Sequence, residues 1–281
     1  MTRLAQGLVA VRCFARERFP LWAAVPIASL LYAAPASLGH PAPLEMMQGA
    51  LGTLLGLLCL RIADDLADLE VDRVVHPRRG LASGRIDPAA LRDANLTVAV
   101  ALAALGSSSL WRLVFFLGGC AFYRAWYSGW RARVHVVTRP FFSNLVFPCA
   151  VLHGAGPAGW PEAAPLALFA WLGAIAHEFA HNVRSVNEEP PPGPGYARAL
   201  GARGTAVLSA VLFAAATLAA VSLWLGLGRP RSFGVALATA ASGLGFFLVR
   251  LLRDPGPRQS RALYRAGILF GLVPALGLLL R

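Results

Sequence analysis

The sequence predicts an all-α, polytopic membrane protein with nine transmembrane helices in a single domain, residues 1–281. Hydrophobic residues make up 57% of the chain, charged residues only 14%, and the mean hydropathy is +0.57. A soluble globular domain of this size carries more charge and less apolar surface. Apolar stretches close to the roughly 20 residues needed to cross a bilayer also recur along the whole chain, and short Arg-, Pro- or Gly-rich breaks separate them. Most of the chain is therefore expected to lie in lipid.

Hydropathy, with Pro, Gly and charged residues marking the breaks, predicts the spans in chain order. The arginine-rich residues before the first span do not resemble a cleavable signal, because no short apolar core with a cleavage site follows them. The nine predicted spans are residues 20–38, 44–65, 89–110, 111–130, 140–155, 163–185, 205–227, 232–252 and 262–280.

The arginines predict the orientation of these spans. All 26 basic residues are Arg, and they account for the net charge of +12. With the N-terminus inside, 20 arginines lie in cytoplasmic segments and only 4 lie outside, while Arg61 and Arg124 fall within spans. The positive-inside rule therefore predicts a multi-pass protein of the cell membrane with its N-terminus in the cytoplasm. This explanation of the basic charge also argues against a nucleic-acid partner.

A dense acidic cluster follows the second predicted span. Asp65, Asp68 and Asp72 stand at i, i+3 and i+7, so their carboxylates share one face of a helix, with Asp64 and Glu70 beside them. Carboxylates near the membrane are costly unless a hard cation neutralises them. Because Mg²⁺ prefers one or two carboxylates plus phosphate oxygens, the cluster predicts magnesium and a phosphate-bearing ligand. Alternatively, it is a solvated helix end paired with nearby arginines.

Four arginines come directly after this cluster, and a guanidinium fork suits the oxygens of a diphosphate. We predict that these residues bind the phosphate groups: Arg73, Arg78, Arg79 and Arg85.

The sixth predicted span ends in a second polar stretch. Glu178, Asn182, Ser185 and Glu189 stand at i, i+4, i+7 and i+11, which is one helical stripe. Polar residues within a span are functional candidates, although a hydrogen-bonded cluster that orients helices is the structural alternative. The His177–Glu178–His181 spacing also matches a zinc pattern, but no third ligand is identifiable.

At the first cluster the chain resembles the UbiA superfamily of intramembrane prenyltransferases. The family pattern NDxxDxxxD, followed by a segment like RPLASG, reads here DDLADLEVD and then HPRRGLASG. The resemblance implies nine helices around a central cavity and magnesium ligands at Asp65, Asp68 and Asp72. Asp64 replaces the asparagine of the pattern, and Gly80 replaces its proline.

The resemblance extends to two weaker segments. YSGWRARVHVVTRPFFSNL is similar to the tyrosine and basic region after the fourth helix, which implies that Tyr127, Arg133 and Arg139 lie near the diphosphate or the acceptor. NVRSVNEE aligns with NxRDxExD, so that Ser185 stands where an aspartate is expected and Glu189 where the second acid is expected. The resemblance implies that Arg184 binds the diphosphate and that Glu189 is a metal ligand. Either Glu178 takes over as a ligand for the missing aspartate, or the second metal is held more loosely. His181, Asn182 and Ser185 are candidates for a role in substrate binding or in this second motif.

The sequence thus predicts a magnesium-dependent enzyme that ionises a prenyl diphosphate and passes the prenyl group to an aromatic or lipid acceptor. Two alternatives stay open. DDLAD and the stripe His181, Ser185 and Glu189 are similar to the metal motifs of terpene cyclases, which need no acceptor. A non-catalytic lipid-binding or transport protein would use the same acidic site for ions.

Overall fold

The computed structural model describes residues 3–39, 42–106, 110–184, 187 and 195–280. All regular elements among these residues are helical, which confirms the all-α prediction. In chain order they are α1 (Arg3–Arg18), α2 (Leu21–Ala36), α3 (Pro43–Ala67), α4 (Leu69–Val75), α5 (Pro88–Gly106), α6 (Leu110–Ala125), α7 (Arg131–Arg133), α8 (Arg139–Ser143), α9 (Val146–Ala155), α10 (Trp160–His181), α11 (Tyr196–Gly226), α12 (Arg231–Arg253) and α13 (Pro257–Leu279).

Within the described part of the chain, seven segments are long and apolar enough to cross a membrane. They are Leu21–Gly39, Pro43–Ala67, Pro88–Leu105, Pro157–His181, Tyr196–Gly226, Arg231–Arg253 and Pro257–Leu279. The chain is therefore a multi-pass membrane protein, and the count of nine spans stays a prediction. Large apolar side chains on these helices stay exposed as lipid contacts require; Leu218, Val235 and Leu269 are each 68% exposed.

The predicted spans 111–130 and 140–155 are interrupted helices. Helix α6 continues into a π-helical turn, Trp126–Trp130, in which Gly129 has a φ of 151° that favours glycine. Helices α8 and α9 are separated at Asn144, whose backbone leaves the helical region and whose side-chain amide donates to the Pro140 carbonyl. The prediction of continuous helices here was wrong, because hydropathy does not register local breaks of this kind.

Helix α3, which carries Asp64 and Asp65, and helix α5 both begin with recognisable caps. In α3, Pro43 opens the first turn and the Glu45 carboxylate accepts a hydrogen bond from the Ala42 N–H at 3.2 Å. In front of α5, both carboxylate oxygens of Asp87 accept from the N–H groups of Ala89 and Ala90. These hydrogen bonds satisfy N–H groups at the start of each helix.

The chain divides into two compact units. The first comprises Met1–Ser29 and Ala42–Val134, and its core contains Phe14, Ile62 and Leu91, which have no exposed surface. Helix α1 packs against α5 in this unit, and α3 packs against both α5 and α6.

The second unit comprises Leu30–Pro41 and His135–Arg281. Its core is built chiefly on α10 and α11, around buried side chains such as Ile175, Phe179 and Phe213. Gly201, with a φ of 70°, kinks α11 near its start, so that the long straight part begins close to the predicted 205.

Candidate active site

The first acidic cluster lies in the first unit, where α3 ends and α4 begins. Helix α3 stops at Ala67, and Asp68 forms the junction with φ −91° and ψ 6°, so the single helix expected from the spacing is two helices. Hydrogen bonding nevertheless continues across the junction. The N–H of Asp68 donates to the Asp64 carbonyl at 3.0 Å, and the N–H of Asp72 donates to the Asp68 carbonyl at 2.8 Å. The acidic side chains therefore keep a helical spacing.

Two arginines from different helices hold Asp65. Arg18, at the end of α1, donates from Nε and Nη2 at 2.7 and 3.1 Å, and Arg61, one turn earlier on α3, approaches to 2.7 Å. Asp65 is only 5% exposed. A buried carboxylate is costly without countercharge, and these two guanidinium groups provide it.

The other aspartates of the cluster also have arginine partners. Arg79 donates to both oxygens of Asp72, at 2.6 and 2.7 Å. Arg131 donates to Asp68 at 2.9 Å and approaches Asp64 to 3.6 Å. Four carboxylates thus face four guanidinium groups, and we call these eight residues the aspartate–arginine cluster: Asp64, Asp65, Asp68, Asp72, Arg18, Arg61, Arg79 and Arg131.

Arg131 and Tyr127 come from the segment that follows α6. The π-helical turn precedes Arg131, whose guanidinium carbon lies 5.9 Å from the centre of the Tyr127 ring. The Tyr127 side chain also interacts with the Asp64 carboxylate. Burial lowers the pKa of Arg131, but the carboxylates of Asp68 and Asp64 raise it by more, so the guanidinium stays charged.

The predicted diphosphate-binding arginines have different surroundings. Arg79 contacts Asp72, whereas Arg73 pairs with Glu70 at 2.7 Å on the surface. Arg85 donates to the carbonyl of Arg78 and to Ser83. The remaining two are Arg133, which is exposed, and Arg184, which donates to Asn182 at 2.8 Å in the second unit.

Three arginines of the aspartate–arginine cluster were missed as site residues: Arg18, Arg61 and Arg131. Arg61 had a usable signal, since an arginine inside an apolar span needs a partner. Arg18 had none, because 47 residues separate it from Asp65. For Arg131, the sequence indicates only a positive charge in a cytoplasmic loop, which contributes to the orientation.

The second polar stretch lies in the second unit, where Glu178 is a hydrogen-bond acceptor between three helices. Asn144 donates to one carboxylate oxygen at 2.8 Å, and the Tyr196 hydroxyl donates to the other at 2.6 Å. The Asn182 side chain donates to the Glu178 carbonyl at 2.8 Å. The hydrogen bonds of the Glu178 carboxylate thus join α10 to Asn144 and to the start of α11, as expected of the helix-orienting alternative, and its metal role stays a prediction.

The histidines of this stretch contact an aromatic ring. The Tyr264 ring centre lies 4.1 Å from that of His177 and 5.0 Å from that of His181. Ser185 and Glu189 lie outside the described residues. Among the residues that are described, no three His, Cys, Asp or Glu side chains are grouped as a metal site.

The family model of the UbiA prenyltransferase family matches residues 23–272. The chain belongs to the UbiA prenyltransferase family. No curated protein matches the sequence. A solved structure described as "Structural and mechanistic insights into the biosynthesis of Digeranylgeranylglyceryl phosphate synthase in membranes" has a TM-score of 0.74 and 14% sequence identity, and covers 98% of this chain and 99% of its own. At that identity the likeness concerns the fold.

Gly80 stands where the UbiA pattern has a proline, and its backbone N–H makes a contact that a proline could not make. The Gly80 N–H donates to both carboxylate oxygens of Glu17, at 2.9 and 3.0 Å. A proline has no N–H and could not make this bond. Residues before 23, which include Glu17 and Arg18, lie outside the segment that the UbiA family model matches.

Proposed function

We propose that this UbiA-family protein is a magnesium-dependent intramembrane prenyltransferase that ionises a prenyl diphosphate and transfers the prenyl group to an aromatic or lipid acceptor. The aspartate–arginine cluster carries the proposal. It supplies acidic oxygens for cations and guanidinium groups for phosphate within one unit, at the end of a membrane-spanning helix. A lone acidic helix end would not need charged partners from three other segments of the chain, which here supply Arg18, Arg79 and Arg131.

The chemistry of the cluster fits magnesium. Mg²⁺ keeps several waters and binds through one or two carboxylates plus substrate phosphates, so three protein ligands at one point are unnecessary. Asp65, Asp68 and Asp72 would hold the ions, and Glu189 is proposed as a further ligand. Bound magnesium would supply charge neutralisation to the diphosphate as its bond to the prenyl carbon breaks.

The arginines now paired with aspartates have a second task in this proposal. Arg79 and Arg131 each donate from Nη1 to a carboxylate of the cluster, and a guanidinium group also binds phosphate oxygens well. We infer that they turn from carboxylate to diphosphate when substrate enters, while the cations take over the aspartates. Arg73, Arg78, Arg85, Arg133 and Arg184 remain proposed outer contacts of the diphosphate.

The bond changes are those of ionisation followed by capture. The C1–O bond of the prenyl diphosphate breaks, and its electron pair leaves with the diphosphate, where arginine N–H groups stabilise it. A nucleophilic atom of the acceptor then bonds to C1 of the allylic cation and loses a proton. Aromatic rings stabilise cations, and Tyr123, Trp126 and Tyr127 lie on the segment that leads to Arg131.

The arginine bias supports a cytoplasmic position for this chemistry. Arg73, Arg78, Arg79 and Arg85 all lie between Asp72 and the start of α5, and the positive-inside rule assigns such a connection to the cytoplasm. Prenyl diphosphate would therefore enter from the cytoplasm, and its apolar chain would extend toward lipid.

Purified protein incubated with radiolabelled prenyl diphosphates of several chain lengths and magnesium, with and without a lipid extract, tests the proposal. A labelled product that requires both magnesium and extract supports transfer. A hydrocarbon or alcohol formed without extract would identify a terpene cyclase instead. No release of diphosphate from any substrate would favour a lipid-binding or transport protein.

A further inference from the structure

The loop between α4 and α5, residues 76–86, carries three of the proposed phosphate-binding arginines and is organised around Gly80. The Gly80 carbonyl accepts the N–H of Ile86 at 2.9 Å and the hydroxyl of Ser83 at 3.2 Å, while the Ser83 N–H donates to the Arg79 carbonyl at 2.8 Å. Leu81 and Ile86 are buried in the core of the first unit. The position of the Gly80 backbone therefore determines the backbone position of Arg79, whose guanidinium contacts Asp72.

Glu17, at the end of α1, holds this backbone from a distant part of the chain. Both of its carboxylate oxygens accept the Gly80 N–H, and Arg85 approaches one of them to 3.7 Å. The two residues are 63 positions apart. Glycine loses more conformational freedom on ordering than any other residue, so an external restraint at this position matters more than it would elsewhere.

Helix α1, which carries Glu17, is packed into the core of the first unit. Ala10, Phe14 and Phe19 are buried in the core of the first unit, and Phe14 has no exposed surface. Arg18, the next residue after Glu17, holds Asp65 on α3. Neighbouring side chains at one helix end thus hold both halves of the site, the carboxylates by Arg18 and the basic loop by Glu17.

We propose that Glu17 is a positioning residue, which fixes the loop 76–86 through the Gly80 N–H so that its arginines meet a diphosphate in one geometry. The proposal rests on the proposed function for its purpose, although the restraint on the loop exists independently of turnover. It assigns a role to α1, which lies outside the segment that the family model matches.

The space around Gly80 leaves no room for a side chain. A Cβ at this position would come within 2.7 Å of the Glu17 Oε2 atom and 2.9 Å of the Ile86 Cδ1 atom. The carboxylate can approach the N–H this closely only because residue 80 has no side chain. Gly80 and Glu17 therefore depend on each other.

The experiment compares Glu17→Ala, Glu17→Gln and the control Asp93→Ala, which removes an exposed acid of α5 outside the aspartate–arginine cluster. Amide hydrogen exchange of residues 76–86 is followed in each protein while magnesium and inorganic pyrophosphate are titrated. For Glu17→Ala we expect faster exchange and about a tenfold higher pyrophosphate concentration for half protection, as for one lost charge-assisted hydrogen bond. Glu17→Gln keeps an acceptor oxygen and should stay within about threefold of the parent, as should Asp93→Ala.

A double variant tests whether Glu17 acts through the Gly80 N–H. Gly80→Pro removes the donor and also brings ring atoms against Glu17 and Ile86, so Glu17→Ala should add no further loss, and the two effects should be strongly non-additive. Additive losses, unchanged exchange in Glu17→Ala, or no pyrophosphate protection in the parent would each overturn the proposal. If the parent binds pyrophosphate but turns over no prenyl diphosphate, only the proposed function is contradicted.

Discussion

Among single residues, Asp65 combines burial with close contacts to two arginines. It is 5% exposed and in contact with both Arg18 and Arg61. Arg61 also donates to Asp64 at 3.4 Å, so its charge is shared between two carboxylates. Asp65 is therefore neutralised by partners that belong to a balanced network of four acids and four arginines.

We expect Asp65→Asn and Asp68→Asn to lose turnover almost completely, because each removes a proposed metal ligand. Asp65→Asn should also lower stability, since Arg18 and Arg61 would face a neutral amide, whereas Asp68 is more exposed and its change should leave the fold nearly intact. Initial rates and thermal unfolding measure the two effects, with Asp93→Asn on the exposed side of α5 as control. Retention of more than about a tenth of the activity, a loss below about 1.4 kcal/mol, would disprove the metal assignment.

Glu178 gives a second prediction at this scale. Its two oxygens already accept from Asn144 and Tyr196, so Glu178→Gln and Tyr196→Phe should each cost about 1 kcal/mol of unfolding free energy. Both should leave the magnesium requirement near that of the parent. Glu189→Gln, by contrast, should raise the magnesium concentration needed for half activity.

A magnesium titration of activity for these variants and Ser185→Asp decides the role of Glu178. If Glu178→Gln raises the magnesium requirement as much as Glu189→Gln does, Glu178 is a metal ligand that compensates for the serine. A loss of activity in Ser185→Asp would favour the cyclase-like stripe His181, Ser185 and Glu189.

At the scale of elements, close helix contacts in the second unit depend on small residues. Gly154 on α9 lies against α2, where an added Cβ would come within 2.8 Å of both the Tyr32 carbonyl oxygen and a ring carbon of Pro35. Backbone cannot yield as a flexible side chain does, so the two helices would have to separate.

Gly154→Ala should therefore destabilise the protein by about 1–3 kcal/mol, as overpacking of a core does. Gly173→Ala on α10 is the matched control, because an added Cβ there meets no atom within 4 Å. The thermal midpoint in detergent measures both variants. Equal midpoints for the two would show that α2 and α9 are less closely packed than described.

For the whole molecule, orientation is the testable property. In a variant without Cys13, Cys59, Cys120 and Cys149, a cysteine at Ser83 should be protected from an impermeant thiol reagent in intact cells. A cysteine at Ala158, in the segment between the predicted spans 140–155 and 163–185 that is expected outside, should react. Both positions are exposed in the structure, so accessibility within the protein is matched. Labelling at Ser83 without labelling at Ala158 would indicate the opposite orientation.

The all-α membrane fold, the family and the position of the acidic cluster were predictable from the sequence. Apolar runs of membrane length and carboxylates at helical spacing are local properties, and they need only neighbouring residues to be recognised. The breaks at Asp68 and Asn144 were not predicted, because hydropathy is unchanged where only a backbone angle departs from the helix.

The partners of each aspartate, by contrast, were decided by the tertiary structure. Arg18 and Glu17 lie 47 and 63 positions from Asp65 and Gly80, and Arg131 lies 63 positions from Asp68. Contacts over such separations depend on how α1, α3 and the segment after α6 pack, and packing is a property of the whole unit. The sequence by itself determined that acids and arginines would meet at a helix end, whereas only the tertiary structure decided which arginine neutralises which acid.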